Sequence, residues 1–152
     1  MGADRRGGGL SVPTLPGKPR YAQQLTFAIP GQPRPKGRPR FSKAGHTYTP
    51  ATTRKYEQLV RVEGMKALTQ WRSENQARHW NATGPFSLSA FLFMGDKRAR
   101  DIDNCLKAIT DGLNGLLYDD DKQLDEIYAF RDFDSREPRA VVTVARLRDP
   151  GI

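Results

Sequence analysis

The sequence predicts an α+β fold of two layers, with a mixed sheet of about four strands carrying two main helices in the order β-α-β-α-β-β. Three observations predict it. Apolar residues alternate or run together at strand length in Leu25–Ile29, Phe86–Met94, Leu124–Phe133 and Arg139–Leu147. They recur at helical spacing after Thr49 and again after Asp101. Gly, Pro and Asn break the chain between these segments.

The elements follow in order. Residues 1–20 hold three consecutive glycines and three prolines with little to bury, and read as a disordered basic tail. Residues 21–150 read as one domain. Leu25–Ile29 is a strand stopped by Pro30, and residues 31–49 are a basic loop. The first helix starts at Thr49 or Pro50, with Thr49 as N-cap and Pro50 in the first helical position. Its apolar side is Tyr56, Leu59, Val60, Met65, Leu68 and Trp71. Asn81–Pro85 is a break before the second strand, Phe86–Met94. A basic turn, Gly95–Arg100, leads to a second helix from Ile102 to Leu117. The last two strands flank the turn Asp134–Pro138 and are expected to pair as a hairpin.

Composition narrows the functions. No apolar run is long enough to span a membrane, and residues 1–20 contain no apolar block of a secretory signal. Cys105 is the only cysteine, which excludes an intrachain disulfide and a four-cysteine zinc site. A cytoplasmic location is expected. The net charge of +8 is uneven: residues 1–80 hold 15 Lys/Arg against 4 Asp/Glu, and residues 81–152 hold 10 against 13. No acidic residue occurs from Arg5 to Tyr56, a pattern that fits a polyanion such as nucleic acid.

The acidic half is concentrated. Asp101, Asp103, Asn104, Lys107 and Asp111 open the second helix, and Asp119-Asp120-Asp121 follows it. With Asp103 at zero on a helical wheel, Lys107, Asp111 and Asn104 fall at about 40°, 80° and 100°. Ile102, Cys105, Leu106, Ile109, Leu113 and Leu116 fill the arc from about 200° to 300°. One face is therefore buried and the other polar. Ala108, Gly112 and Gly115 lie on the flank and permit close approach of another backbone.

Asp101 and Asp103, two apart in an extended lead-in, are expected to converge at the helix N-terminus. Asp101 also suits a plain N-cap, and Asp103, Lys107 and Asp111 suit a surface ion-pair ladder. The three adjacent aspartates favour a metal reading, since a cation relieves their repulsion. Mg²⁺ takes a few carboxylates and fills its shell with water and substrate phosphates. A Ca²⁺ EF-hand is excluded by the missing glycine and terminal glutamate. His46 and His79 are isolated, and Cys105 lies on the apolar face as an inert thiol.

Gly31–Lys43 sets five cations, Arg34, Lys36, Arg38, Arg40 and Lys43, among three prolines that restrain the backbone. Phe41 and Tyr48 are placed to stack on bases or on each other. Lys97, Arg98 and Arg100 form a second basic cluster beside the carboxylates, suited to phosphates that flank a scissile bond.

The run Lys97–Lys107 with Asp111, then Asp120-Asp121-Lys122-Gln123, resembles the RusA family of Holliday junction resolvases. That pattern is a basic stretch, D-x-D-N-x-x-K-x-x-x-D, then D-D-x-Q. Pro35–Phe41, Tyr48-Thr49-Pro50 and Tyr56 are similar to phage-type members. The resemblance spans about Leu25 to Leu147. It implies a Mg²⁺-dependent endodeoxyribonuclease, with Mn²⁺ able to substitute, in the cytoplasm of a bacterium or phage-infected cell. It implies a homodimer that nicks opposed strands of a four-way junction. It carries the catalytic aspartates onto Asp101, Asp103 and Asp121 and the essential lysine onto Lys107. Asp120 is the alternative metal ligand, and Asn104 and Asp111 are supporting residues. The chain departs from the pattern in its three consecutive aspartates and a shorter spacer after Asp111. Two other functions stay open on residues alone: a non-catalytic binder of DNA structure, and a nuclease for flaps or forks.

Overall fold

The computed structural model of the protein describes residues 21–76 and 78–148, so the expected tail lies outside the described residues. Six strands and two helices form: β1 (Tyr21–Pro30), β2 (Arg40–Phe41), β3 (Thr47–Tyr48), α1 (Ala51–Glu74), β4 (Phe86–Met94), α2 (Ile102–Leu113), β5 (Leu124–Phe133) and β6 (Arg139–Leu147). A four-stranded mixed sheet has the order β1-β6-β4-β5, and β2 and β3 make a separate small hairpin. The α+β expectation holds.

The expected hairpin of β5 and β6 does not form. β4 lies between them, parallel to β5 and antiparallel to β6, and β6 pairs on its far side with β1. The turn Asp134–Pro138 arches over the end of β4, where Asp134 N–H donates to Met94 C=O at 2.8 Å. It then meets the basic loop, with Gly31 N–H donating to Pro138 C=O at 3.0 Å. β4 thus has a neighbour on each edge.

Both helices pack on one face of the sheet. Phe86, Leu88, Ala90, Leu92 and Met94 of β4 meet Val60 of α1 and Ile109 and Leu113 of α2 in one buried cluster. Burying each large side chain contributes roughly 1.5–3 kcal/mol. Gly64 and Gly112 allow the helices to touch. A Cβ on Gly112 would stand 2.9 Å from the Glu57 carbonyl and from Val60 Cβ, and one on Gly64 2.8 Å from Leu113 Cδ2. The opposite sheet face carries neither helix. There Phe91, 45% exposed, stacks on Phe130 at 4.9 Å.

Three element details differ from expectation. Pro50 is the residue before α1, with extended backbone (φ −54°, ψ 145°) and no side-chain cap bond, so Thr49 does not cap. Met65 is half-exposed and off the buried face. α2 stops at Leu113 rather than Leu117, because Gly115 adopts φ +72° and donates to the Tyr118 carbonyl at 2.8 Å. Leu117 and Tyr118 nevertheless stay buried, and the Tyr118 hydroxyl donates to the Thr110 carbonyl at 2.8 Å.

Candidate active site

α2 carries the acidic run into the sheet's edge. Asp101 stands at the N-cap position in extended conformation and makes no side-chain cap bond. Its Oδ2 accepts from Asn104 Nδ2 at 3.2 Å. Asp103 is already in the first helical turn. The two-apart rule of an extended strand therefore does not apply between them. Asp103 lines a cavity of about 190 Å³ with Leu106, Lys107, Thr110, Asp121, Leu124 and Ile127, and Asp101 is outside that lining. Among the described residues, no three His, Cys, Asp or Glu side chains stand together as a ready ligand set.

Lys107 sits between two carboxylates. Its Nζ donates to Asp121 Oδ2 at 2.9 Å and pairs with Asp111 Oδ1 at 2.9 Å. These contacts, Asp111 first, raise its pKa, so the ammonium stays charged. Asp111 Oδ2 in turn takes a hydrogen bond from Lys36 Nζ. Glu57 Oε1 lies 3.2 Å from the same nitrogen, an ion pair off the hydrogen-bonding angle. Burial pulls Lys36 down, but its bonds to Asp111 and Glu57 outweigh that and leave its pKa raised.

The aspartate knot divides its labour. Asp119 is exposed. Asp120 caps a single 3₁₀ turn, Asp121–Gln123: its Oδ1 accepts from Lys122 N–H at 2.9 Å, and Gln123 Oε1 accepts from Asp120 N–H at 2.8 Å. The Lys122 N–H bond chiefly holds the Asp120 carboxyl below its usual range. Gln123 Nε2 also donates to the carbonyls of Ala82 and Gly84, bracing the turn against the break before β4. Asp121 is the member of the knot that lines the cavity.

Arg34, Arg38, Arg40, Lys43, Lys97 and Arg98 are exposed. Arg100 is not free: it grips Asp96 with two nitrogens at 2.6 and 3.3 Å. That bond, ahead of the Arg98 N–H, holds the Asp96 carboxyl down at about 2. Phe41, 76% exposed, is opposite Thr47 in the small hairpin, while Tyr48 is opposite Arg40. The two aromatics point to opposite faces of the hairpin and do not stack on each other. Cys105 is buried, and desolvation lifts its thiol to about 11, in line with an inert role.

Sequence reasoning missed Glu57 and Thr53. Thr53 Oγ1 accepts from Gly37 N–H at 2.9 Å and so seats the basic loop on α1. The signal was present: Glu57 is the first acidic residue after Arg5, and it lies one turn from Thr53 and Val60 on the buried face.

Residues 30–145 match the family model described as endodeoxyribonuclease RusA. The chain belongs to the RusA endodeoxyribonuclease family. No curated protein matches it. The RusA match begins at Pro30, so it covers the basic loop, both helices and the aspartate knot, and leaves most of β1 outside. RusA-family proteins are endodeoxyribonucleases that resolve Holliday junctions.

Proposed function

We propose that the chain is a Mg²⁺-dependent Holliday junction resolvase that cuts as a homodimer, with its reaction centred on Asp103, Lys107 and Asp121. The observation that carries this reading is the shared cavity of those three side chains, in a chain whose loop cations are exposed. Asp103 and Asp121, which share that cavity, offer the carboxylate oxygens that a hard divalent ion takes. Glu57, Asp111, Asp121 and Asp103 bring four carboxylates against the two ammoniums of Lys36 and Lys107, and the surplus charge lies at the Asp103 end. Asp103 and Asp121, with Asp101 from the helix start, would hold Mg²⁺, or Mn²⁺ in its place. The bound ion supplies polarisation of the scissile phosphate and a water of lowered pKa.

The chain's own groups do the rest. Asp111 holds the Lys107 ammonium, which neutralises charge building on the phosphate oxygens. The exposed loop cations and Lys97 and Arg98 bind the flanking phosphates. Asp120 is spent on its turn, which favours Asp121 as the ligand. A junction needs cuts in two opposed strands, hence two copies of the site.

A labelled four-way junction, a fork and a linear duplex, each with and without Mg²⁺, test the reading. Nicks are expected in the junction, only with metal. Asp103→Asn and Asp121→Asn are expected to lose cleavage and keep junction binding. Normal cutting by either variant would remove the proposed site, binding without nicks would leave a DNA-binding protein, and stronger cutting of forks would move the substrate class.

A further inference from the structure

Of the five loop cations, Lys36 alone is turned inward; Arg34, Arg38, Arg40 and Lys43 are exposed. Its ammonium joins Asp111 and Glu57, and its backbone N–H donates to the Asn104 carbonyl on α2 at 2.9 Å. The next residue, Gly37, is pressed against α1. A Cβ there would stand 3.0 Å from Pro50 Cγ and 3.0 Å from Thr53 Oγ1. The loop is thus seated in the groove where both helices begin, with Lys36 as its inner pin.

The pin continues to the reacting centre. Charges alternate through Glu57, Lys36, Asp111, Lys107 and Asp121, each in contact with the next. Asp111 uses one oxygen for each lysine, Oδ2 for Lys36 and Oδ1 for Lys107. A carboxylate held at both oxygens cannot turn about its terminal bond. Without Lys36 its plane is free to rotate, and Lys107 keeps only the Asp121 contact as a fixed anchor.

We infer that Lys36 is a positioning residue that fixes Lys107 through Asp111, and that the DNA-binding loop is thereby coupled to the catalytic lysine. The inference rests on the nuclease reading above. A phosphate contact by Lys36 predicts a different outcome, because removing such a contact weakens binding and lowers the salt slope by about one. Removing a positioning group lowers the rate in the bound complex, by about 10- to 100-fold for a side chain that orients an active residue.

The experiment separates the two. Junction affinity is measured in EDTA over a range of salt. Single-turnover cleavage is measured with Mg²⁺ at saturating protein. The proteins are wild type, Lys36→Met, Lys36→Arg, Glu57→Gln and Arg38→Ala, each checked by thermal melting. Lys36→Met is expected to lose about 10- to 100-fold in rate with affinity and salt slope unchanged. Lys36→Arg is expected to recover most of that loss, since a guanidinium also bridges carboxylates, and Glu57→Gln to fall between. If Lys36→Met instead weakens binding as Arg38→Ala does and cuts at the wild-type rate once saturated, Lys36 is a phosphate contact and the inference is wrong. Should Lys36→Met not fold, Glu57→Gln decides: a wild-type cleavage rate in that variant overturns the inference. Lysine-selective ¹⁵N NMR reads the coupling without substrate. The Lys107 ammonium signal is expected to move in Lys36→Met and Glu57→Gln, and an unmoved signal overturns the coupling. If wild type nicks no branched DNA, the nuclease reading falls while the NMR shift still decides whether Lys36 positions Lys107.

Discussion

At the scale of single residues, the adjacent Asp120 and Asp121 show how neighbouring carboxylates of one type come to differ. Asp120 accepts the Lys122 N–H and exchanges a capping box with Gln123, whereas Asp121 faces Lys107. Asp120→Ala is expected to lower stability through the lost cap, read as an earlier midpoint in thermal or denaturant melts. Asp120→Asn keeps an acceptor and should recover most of it. Neither change should abolish cutting as Asp121→Asn does; loss of cutting in a folded Asp120→Asn would reassign the ligand. Asp96 gives a pH test. Its folded pKa of about 2 is below the ordinary carboxyl value, so its contribution to stability is present above about pH 4 and is lost as pH falls toward 2. Carboxyl ¹³C titration should find it there in wild type, and Arg100→Ala should return it toward the ordinary range.

At the scale of elements, the closest approach is that of α1 and α2. Gly112→Ala places a methyl group 2.9 Å from the Glu57 carbonyl, a backbone atom that cannot swing aside. The helices must separate, at a cost of about 1–3 kcal/mol for overpacking, read from urea midpoints. The same change carries Glu57 away from Lys36, so cutting should fall even where the protein stays folded. The sequence made this crossing legible through small residues flanking the apolar arc of α2. It also made legible the bounds of β4, β5 and β6, since alternation and Gly or Pro breaks are local signals. Pairing is not local. A five-residue turn between two strands reads as a hairpin, yet β5 pairs with β4 across α2 and leaves the other edge of β4 to β6. In the site, Asp103 and Lys107 were legible from helical spacing, and Asp121 through the resemblance of Asp120-Asp121-Lys122-Gln123 to the D-D-x-Q pattern. The link from Lys36 to Asp111 was not, because it joins residues 75 positions apart that only the packing of the loop on two helices brings together.

At the scale of the whole molecule, charge and shape point to different partners. The loop cations Arg34, Arg38, Arg40 and Lys43 are exposed and suit phosphates. Each of Arg34, Arg38, Arg40 and Lys43 that touches a phosphate should contribute about 0.9 to the slope of log affinity against log salt, so Arg38→Ala lowers it by about one. The helix-free sheet face has another character. Phe91 on Phe130, with Val141 beside Phe91 in register, forms an apolar strip, and Arg139 lies over the Phe93 ring at 4.1 Å. An exposed strip of this kind on an otherwise highly charged chain is suited to a second copy of itself, where the same patch meets its mate across a two-fold axis. Phe91→Glu puts a carboxylate in the middle of that strip, 4.9 Å from where Phe130 now stacks. Light scattering after gel filtration should then fall from twice the 17.1 kDa chain mass to the single value. The catalytic groups lie on the helix side of the sheet and are untouched by the change, so each monomer keeps a site but loses the second cut. On a supercoiled plasmid bearing an extruded cruciform, wild type should yield linear product from paired cuts, and Phe91→Glu should accumulate nicked circles. Linear product at the wild-type rate from a single-chain species would show that pairing does not depend on this face.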